Sequence, residues 1–181
     1  MFALGMVEVL SVPAGVLAGD AMLKAAEVAL VMAQTVCAGK YIVLVSGEVA
    51  AVKSAVEAGV AHAERKLVDS MVIPNVDRRV VAALSGAGEI ETVQAVGVLE
   101  TFSLAAAVRA ADTAVKAAAV ELVEVRLARG MGGKSFVLMT GEVAAVEAAV
   151  QAAQGDEAAE GMLAQSVVIP APHPDMIRAL L

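Results

Sequence analysis

GEVAAVKSAV at residues 47–56 returns as GEVAAVEAAV at 141–150, identical at 8 of 10 positions with an offset of 94. Toward the N-terminus, LGMVEVLSVPAGVLAGDAMLKAAEV from Leu4 aligns with VGVLETFSLAAAVRAADTAVKAAAV from Val96. There the offset is 92, and Gly5 falls on Gly97, Glu8 on Glu100, Asp20 on Asp112 and Lys24 on Lys116. Toward the C-terminus, MVIP (71–74) aligns with VVIP (167–170) at an offset of 96. The second copy therefore carries two short insertions, one in the loop that matches the Cys37 turn and one around Gly155. A period of 92 to 96 residues is too long for a solenoid unit and suits a duplicated small domain. Two domains are expected, 1–90 and 91–181, joined through SGAGEIETVQ (85–94), where Gly86 and Gly88 read as a joint.

Within each copy the pattern is legible. LGMVEVL predicts a short strand, and PAGVLAGDAMLKAAEV a helix with Pro13 near its start. Asp20 and Lys24 then share one helix face. KYIVLVSG is an almost continuous apolar run of strand length, as expected of a central strand buried on both faces. Ser46 is positioned to offer an N-cap oxygen, with Glu48 in the first turn of the next helix, where the helix dipole favours a negative charge. Val49, Val52, Val56, Val60 and Ala63 form that helix's buried stripe. LVDSMVIP predicts a strand stopped by Pro74, and DRRVVAAL a short helix closing the domain. The order β-α-β-β-α-β-α gives an α+β sandwich, helices on one face of an antiparallel-rich sheet.

Composition bounds the function. The 181 residues are 59% hydrophobic but only 2% aromatic, so the core is built from Ala, Val, Leu, Ile and Met. Such a core buries little area per side chain and gains by hiding more surface between subunits. A mean hydropathy of +0.77 suggests a membrane protein. The most apolar stretch, residues 28–47, is nevertheless broken by Gln34, Thr35, Gly39 and Lys40, which argues against a spanning helix. The start MFALGMVEVL lacks a basic segment and meets Glu8 early, unlike a signal peptide. A net charge of −7 with scattered Lys and Arg and few aromatic residues argues against nucleic acid as a partner. A single cysteine cannot form an internal disulfide, in keeping with a reducing compartment.

Few residues carry chemistry. GMGGKSF (130–136) contains Gly-Lys-Ser, but a phosphate loop needs glycine at position 128, which is Ala, and a helix next, where SFVLM reads as a strand. A glycine-rich turn between strands is the better reading. His62 reads as a solvated helix residue, and His173 sits in the proline-rich corner PAPHPD. No catalytic constellation is present, so no enzyme is expected. Cys37 reads either as a buried thiol acting as a small hydrophobe or as one ligand of a metal site completed by a symmetry axis.

ALGMVEV (3–9), GDAMLKAAEVALV (19–31), SGEVAAVKSAVEAG (46–59) and VVIPAPHPD (167–175) carry a resemblance. Each half resembles a bacterial microcompartment shell domain. The whole is similar to the tandem-domain shell proteins, particularly the iron–sulfur-binding propanediol-utilisation type. The resemblance implies an α+β fold, a tandem duplication of a ferredoxin-like-variant shell domain with its sheet flanked by helices. It implies a homotrimer whose six domains form a pseudohexameric tile, meeting other shell proteins edge to edge in a shell within the bacterial cytoplasm. The turn between the second and third strands would line a central pore with Val36, Ala38 and Gly39 around Cys37, and with Met131 and Gly132 of Arg129–Gly133 in the second half. Cys37 would be the metal and cofactor ligand of a 4Fe-4S cluster shared by three subunits and serving electron transfer across the shell. Three thiolates would leave one iron with a ligand that is not cysteine, since protein clusters generally use four. Lys24 and Lys116 match the edge lysines of such tiles, and His173 the histidine of the family's Pro-Arg-Pro-His corner. Here that corner reads Pro170-Ala171-Pro172-His173, without the arginine, and Pro74-Asn75-Val76-Asp77 departs further. On the residues alone, Lys24 also reads as the solvated partner of Asp20. Two other functions fit the same chain: a passive metabolite pore without cluster, and a trimeric ferredoxin-like small-molecule sensor.

Overall fold

The computed structural model describes residues 2–86, 90, 93–156 and 161–180, so Gly88 of the expected joint lies outside the described residues. In the first copy the elements are β1 (Ala3–Val9), α1 (Val12–Ala25), β2 (Ala29–Val36), β3 (Lys40–Gly47), α2 (Val49–Ala63), β4 (Leu67–Ile73) and α3 (Arg78–Leu84). The second copy repeats them as β5 (Ala95–Thr101), α4 (Leu104–Ala117), β6 (Glu121–Leu127), β7 (Ser135–Gly141), α5 (Val143–Gln154), β8 (Leu163–Pro170) and α6 (Pro174–Leu180). Each copy forms one antiparallel four-stranded sheet, in the orders β2-β3-β1-β4 and β6-β7-β5-β8. Read from the other edge this is 4-1-3-2, the order that joins two βαβ halves through a central antiparallel pair. Register shifts recur at matching places, between Glu8 and Val9 and between Glu100 and Thr101.

The central strands explain the apolar runs. All seven residues of β1 are buried, and β3 is buried at six of eight positions. Ala3, Val7 and Val9 face one way, where they pack with Val43, Val45, Met22 of α1 and Val52, Ala55, Val56 and Ala63 of α2. Leu4, Met6 and Glu8 face the other way. Of the expected α2 stripe, Val52, Val56 and Ala63 are buried, joined by Ala55 and Gly59, while Val49 and Val60 are half-buried against the same core. Helix α1 starts at Ser11, whose Oγ accepts the Ala14 N–H at 3.4 Å, and Pro13 sits in the first turn, where a missing N–H is harmless.

Two expectations need correction. Ser46 does not cap α2. It is a buried β3 residue, and Glu48 is the N-cap, without a side-chain cap bond. Glu48 therefore precedes the first turn rather than standing in it. The short helix α3 does not close the first copy either. One compact unit holds the chain through Val76 with Ser103–Ala105 and Ala128–Gly133, and the other holds Asp77–Phe102, Ala106–Leu127 and the chain from Lys134. In that second unit Arg79 of α3 donates to the carbonyls of Val115 and Val120, at 3.0 Å each.

Gly5 and its counterpart Gly97 are what let helix and sheet approach. A Cβ on Gly5 would lie 2.6 Å from Val56 Cγ2 and 2.7 Å from Val52 Cγ1, and one on Gly97 2.7 Å from Val146 Cγ1. Gly5→Ala is expected to destabilise the protein by about 1–3 kcal/mol in urea denaturation. Val56→Ala in the same chain should return part of that loss by removing the nearer methyl.

Candidate functional site

In the first unit the β2–β3 turn meets the loop 128–133 that joins β6 to β7. The Cys37 N–H donates to Ala128 O at 2.9 Å, and the Gly130 N–H donates to Cys37 Sγ at 3.2 Å. Arg129 donates to Gln34 Oε1 at 3.2 Å. Gly39, Gly130, Gly132 and Gly133 all have φ between 60° and 94°, which glycine adopts without penalty and which explains the loop's composition. The Gly-Lys-Ser segment is accordingly a turn entering β7, as its sequence implies, and not the start of a helix. Cys37 and Met131 are half-buried, Ala38, Gly39 and Gly132 are exposed, and Val36 is buried at the end of β2. The structure thus brings the thiol together with the glycine loop of the second copy. Among the described residues no three His, Cys, Asp or Glu side chains form a metal-binding group.

Behind these loops lies a pair that sequence reasoning missed. Glu8, fully buried in β1, accepts Lys40 Nζ on Oε1 at 2.6 Å. Lys40, at the start of β3, also donates to Gly133 O at 3.2 Å, and Glu8 Oε2 takes the Leu104 N–H at 2.9 Å. Beside it, Ser103 Oγ donates to Asp69 Oδ2 at 2.7 Å. In the second copy Glu100 pairs with Lys134 at 2.7 Å, with side chains 29% and 41% exposed. The signal was available: one acidic residue in a mostly apolar strand, at the same place in both copies, each followed by a lysine at or just before the start of the third strand.

Each of the three expected edge residues has an acidic neighbour close in sequence. Lys24 pairs with Asp20 at 2.6 Å on the exposed side of α1, as the four-residue spacing alone implies. Lys116 pairs with Asp112, whose other oxygen accepts the Asp77 N–H at 2.9 Å. His173 is exposed, 3.6 Å from Asp175. His62 is exposed on α2, with Nδ1 2.8 Å from Ala58 O. Asp77 caps α3 by accepting the Arg79 N–H and is bridged by the Arg79 guanidinium at 2.8 and 2.9 Å. The hydrogen bond from Arg79 holds the Asp77 carboxyl below its ordinary pKa, against partial burial, and raises that of Arg79.

Two outcomes follow from these pairs. Glu8→Leu leaves the Lys40 ammonium buried without its partner and should cost about 3–5 kcal/mol in urea denaturation, with Glu8→Leu/Lys40→Met costing less than the single change. Because the folded pKa of Asp77 is depressed, its contribution is complete above the ordinary carboxylate range and is lost as pH falls through the lowered value. Asp77→Asn, which keeps a capping oxygen, should therefore be less stable than wild type at neutral pH. The difference should shrink below about pH 4, measured by thermal unfolding across pH.

The BMC domain profile matches residues 3–76 and again 95–172. Bacterial microcompartment shell protein PduT of Citrobacter freundii is 43% identical over 179 residues, 99% of this chain and 97% of that protein. Carboxysome assembly protein CcmO of Synechococcus elongatus is 33% identical, over 98% of this chain and 68% of that protein. A crystal structure of a microcompartments protein from Desulfitobacterium hafniense is 49% identical, with a TM-score of 0.89 over 98% of this chain and 99% of that one. The fused permuted hexameric shell protein MSM0275 has a TM-score of 0.63 at 25% identity, over 84% of this chain and 81% of that one. The chain belongs to the BMC-domain family, as a tandem-domain microcompartment shell protein.

Proposed function

We propose that three copies of this chain assemble into a pseudohexameric tile of six BMC domains, and that Cys37 from each copy holds one edge of a 4Fe-4S cluster at the tile's centre. The role is structural rather than enzymatic, set in a microcompartment shell of the bacterial cytoplasm beside other shell proteins. No helix among the described residues is long and apolar enough to cross a membrane. Two domains per chain make three chains the number that completes six positions, and the similar protein MSM0275 is itself a fused hexameric shell protein.

The observation that carries the cluster is the loop pair around the thiol. Cys37 is the one cysteine of the sequence and lies at a strand–strand turn, half-buried instead of filling a core position. Its sulfur accepts the Gly130 N–H at 3.2 Å, the kind of hydrogen bond that tunes cluster sulfurs. Ala38 and Gly39 beside it are small, so several copies of the turn can crowd together. The residues present thus fit one ligand per chain, with the remaining ligands supplied by assembly. When bound, such a cluster supplies one-electron transfer across the tile. This chain's own part is to present the sulfur, hydrogen-bond it and frame it with Met131 and Gly132. Membership of the shell family favours this reading over a small-molecule sensor.

Protein made with ample iron and purified without oxygen should be brown, with about four irons and four sulfides per three chains. Cys37→Ser should be colourless and iron-free yet keep the wild-type oligomeric state by light scattering. Colourless wild-type protein under those conditions would overturn the cluster and leave a passive opening.

A further inference from the structure

Cys37 stands on a turn closed at its base by Val36 and Lys40, the last ladder pair of β2 and β3. The loop 128–133 meets that turn through four hydrogen bonds. The Cys37 N–H donates to Ala128 O, Arg129 donates to Gln34 Oε1, the Gly130 N–H donates to Cys37 Sγ, and Lys40 Nζ donates to Gly133 O at 3.2 Å. The last differs from the rest in what stands behind it. The bonds of Arg129 and Gly130 lie at the exposed surface, where water competes for them. Lys40 is only 9% exposed, and its ammonium is held at 2.6 Å by Glu8, which is closed to water and fixed in turn by the Leu104 N–H.

The loop has little else to hold it. Gly130, Gly132 and Gly133 all have positive φ, and a Cβ on Gly130 or Gly132 would meet nothing within 4 Å. A run of glycines with open space around it keeps one conformation only where its ends are fixed, because glycine has the most freedom to lose. One end is fixed where Ala128 O takes the Cys37 N–H. The other is fixed at Gly133, where a Cβ would lie 3.6 Å from Lys40 Cε and 3.7 Å from Cys37 O. The backbone of Gly133 thus rests on the lysine and on the carbonyl of the cysteine residue itself.

We infer that Lys40 is a positioning residue for the sulfur: by tying Gly133 O to the buried Glu8 carboxylate, it holds the glycine loop in the conformation that aims the Gly130 N–H at Cys37 Sγ. The charge pair of the core thereby sets the surroundings of a ligand atom that it does not touch. The inference rests on the cluster proposed above and adds what fixes its potential. A hydrogen bond to a ligand sulfur favours the more negative, reduced cluster, so losing it lowers the reduction potential.

The test compares anaerobic, iron-loaded full-length protein with Glu8→Leu/Lys40→Met, which removes the grip on Gly133 without leaving an unpaired charge in the core. The variant should keep the wild-type oligomeric state, circular dichroism and iron content. Its one-electron potential in a dye-mediated titration should fall by about 59 mV, a tenfold change in the equilibrium constant for reduction. Gly5→Ala, which strains the same unit away from the loop, should leave the potential at the wild-type value. In iron-free protein, where the cluster plays no part, peptides spanning 128–133 should exchange amide hydrogens about tenfold faster in the double variant than in wild type. Equal potentials, or equal exchange in 128–133, would overturn the positioning role and leave the cluster standing. If the double variant does not fold, iron-free wild type decides alone. Protection of 128–133 supports the held loop, and exchange at the rate of the free peptide overturns it. Colourless wild-type protein would overturn the cluster and this inference with it.

Discussion

The Glu8 carboxylate is the constraint on which the first unit depends. A carboxylate with no access to water costs several kcal/mol to bury unless each oxygen is answered. Here one oxygen takes Lys40 and the other takes the Leu104 amide, while Lys40 makes a second bond to Gly133. Those three partners come from the opening of β3, the start of α4 and the glycine loop before β7. An arrangement that moved any of them would leave a charge unanswered. The pair's value lies less in net stability than in the alternatives it excludes, because a core of valine and alanine packs almost as well in several registers.

That matters for a chain with so few aromatic residues. Small branched side chains give close approach but weak geometric discrimination, and Gly5 and Gly97 show how close the approach is, with no room for a methyl group. Specificity then has to come from elsewhere. Paired bulges beside Glu8 and Glu100 shift the ladder at the same place in both sheets, and they bring Asp69 and Gln165 opposite the two glutamates. Register and charge pair form one device, present in both copies, and in the first it also seats the start of a helix.

The fold was legible because duplication doubles every signal. The strands of LGMVEVL and KYIVLVSG, the valine stripe of α2 and the proline stops were each visible as periodicity or punctuation, and the repeat confirmed their order. Ser46 misled because a serine before a helix looks like a cap even when the last strand residues still need its backbone. Helix α3 misled because its sequence says only that seven residues are helical, and its partners are carbonyls of Val115 and Val120, far along the chain. Cys37 was conspicuous by being single, but the Gly130 N–H on its sulfur depends on loops 93 residues apart, which no local pattern encodes. Glu8 was hidden differently. Read alone it is one charge in a strand, and only its recurrence as Glu100 with a lysine ahead of each third strand marks it as a partner in a pair.

Duplication also explains why the two copies differ where they do. Identical domains around a ring would place the same turn at every position, so a thiol in one would be a thiol in all. Tandem copies free the turns to diverge. Glu8 and Lys40 are matched in the second copy by Glu100 and Lys134, whereas Val36–Gly39 and Arg129–Gly133 share neither length nor chemistry. The extra glycines of the second turn bring its amides close to the sulfur of the first, so the loop without cysteine still acts on the one that has it.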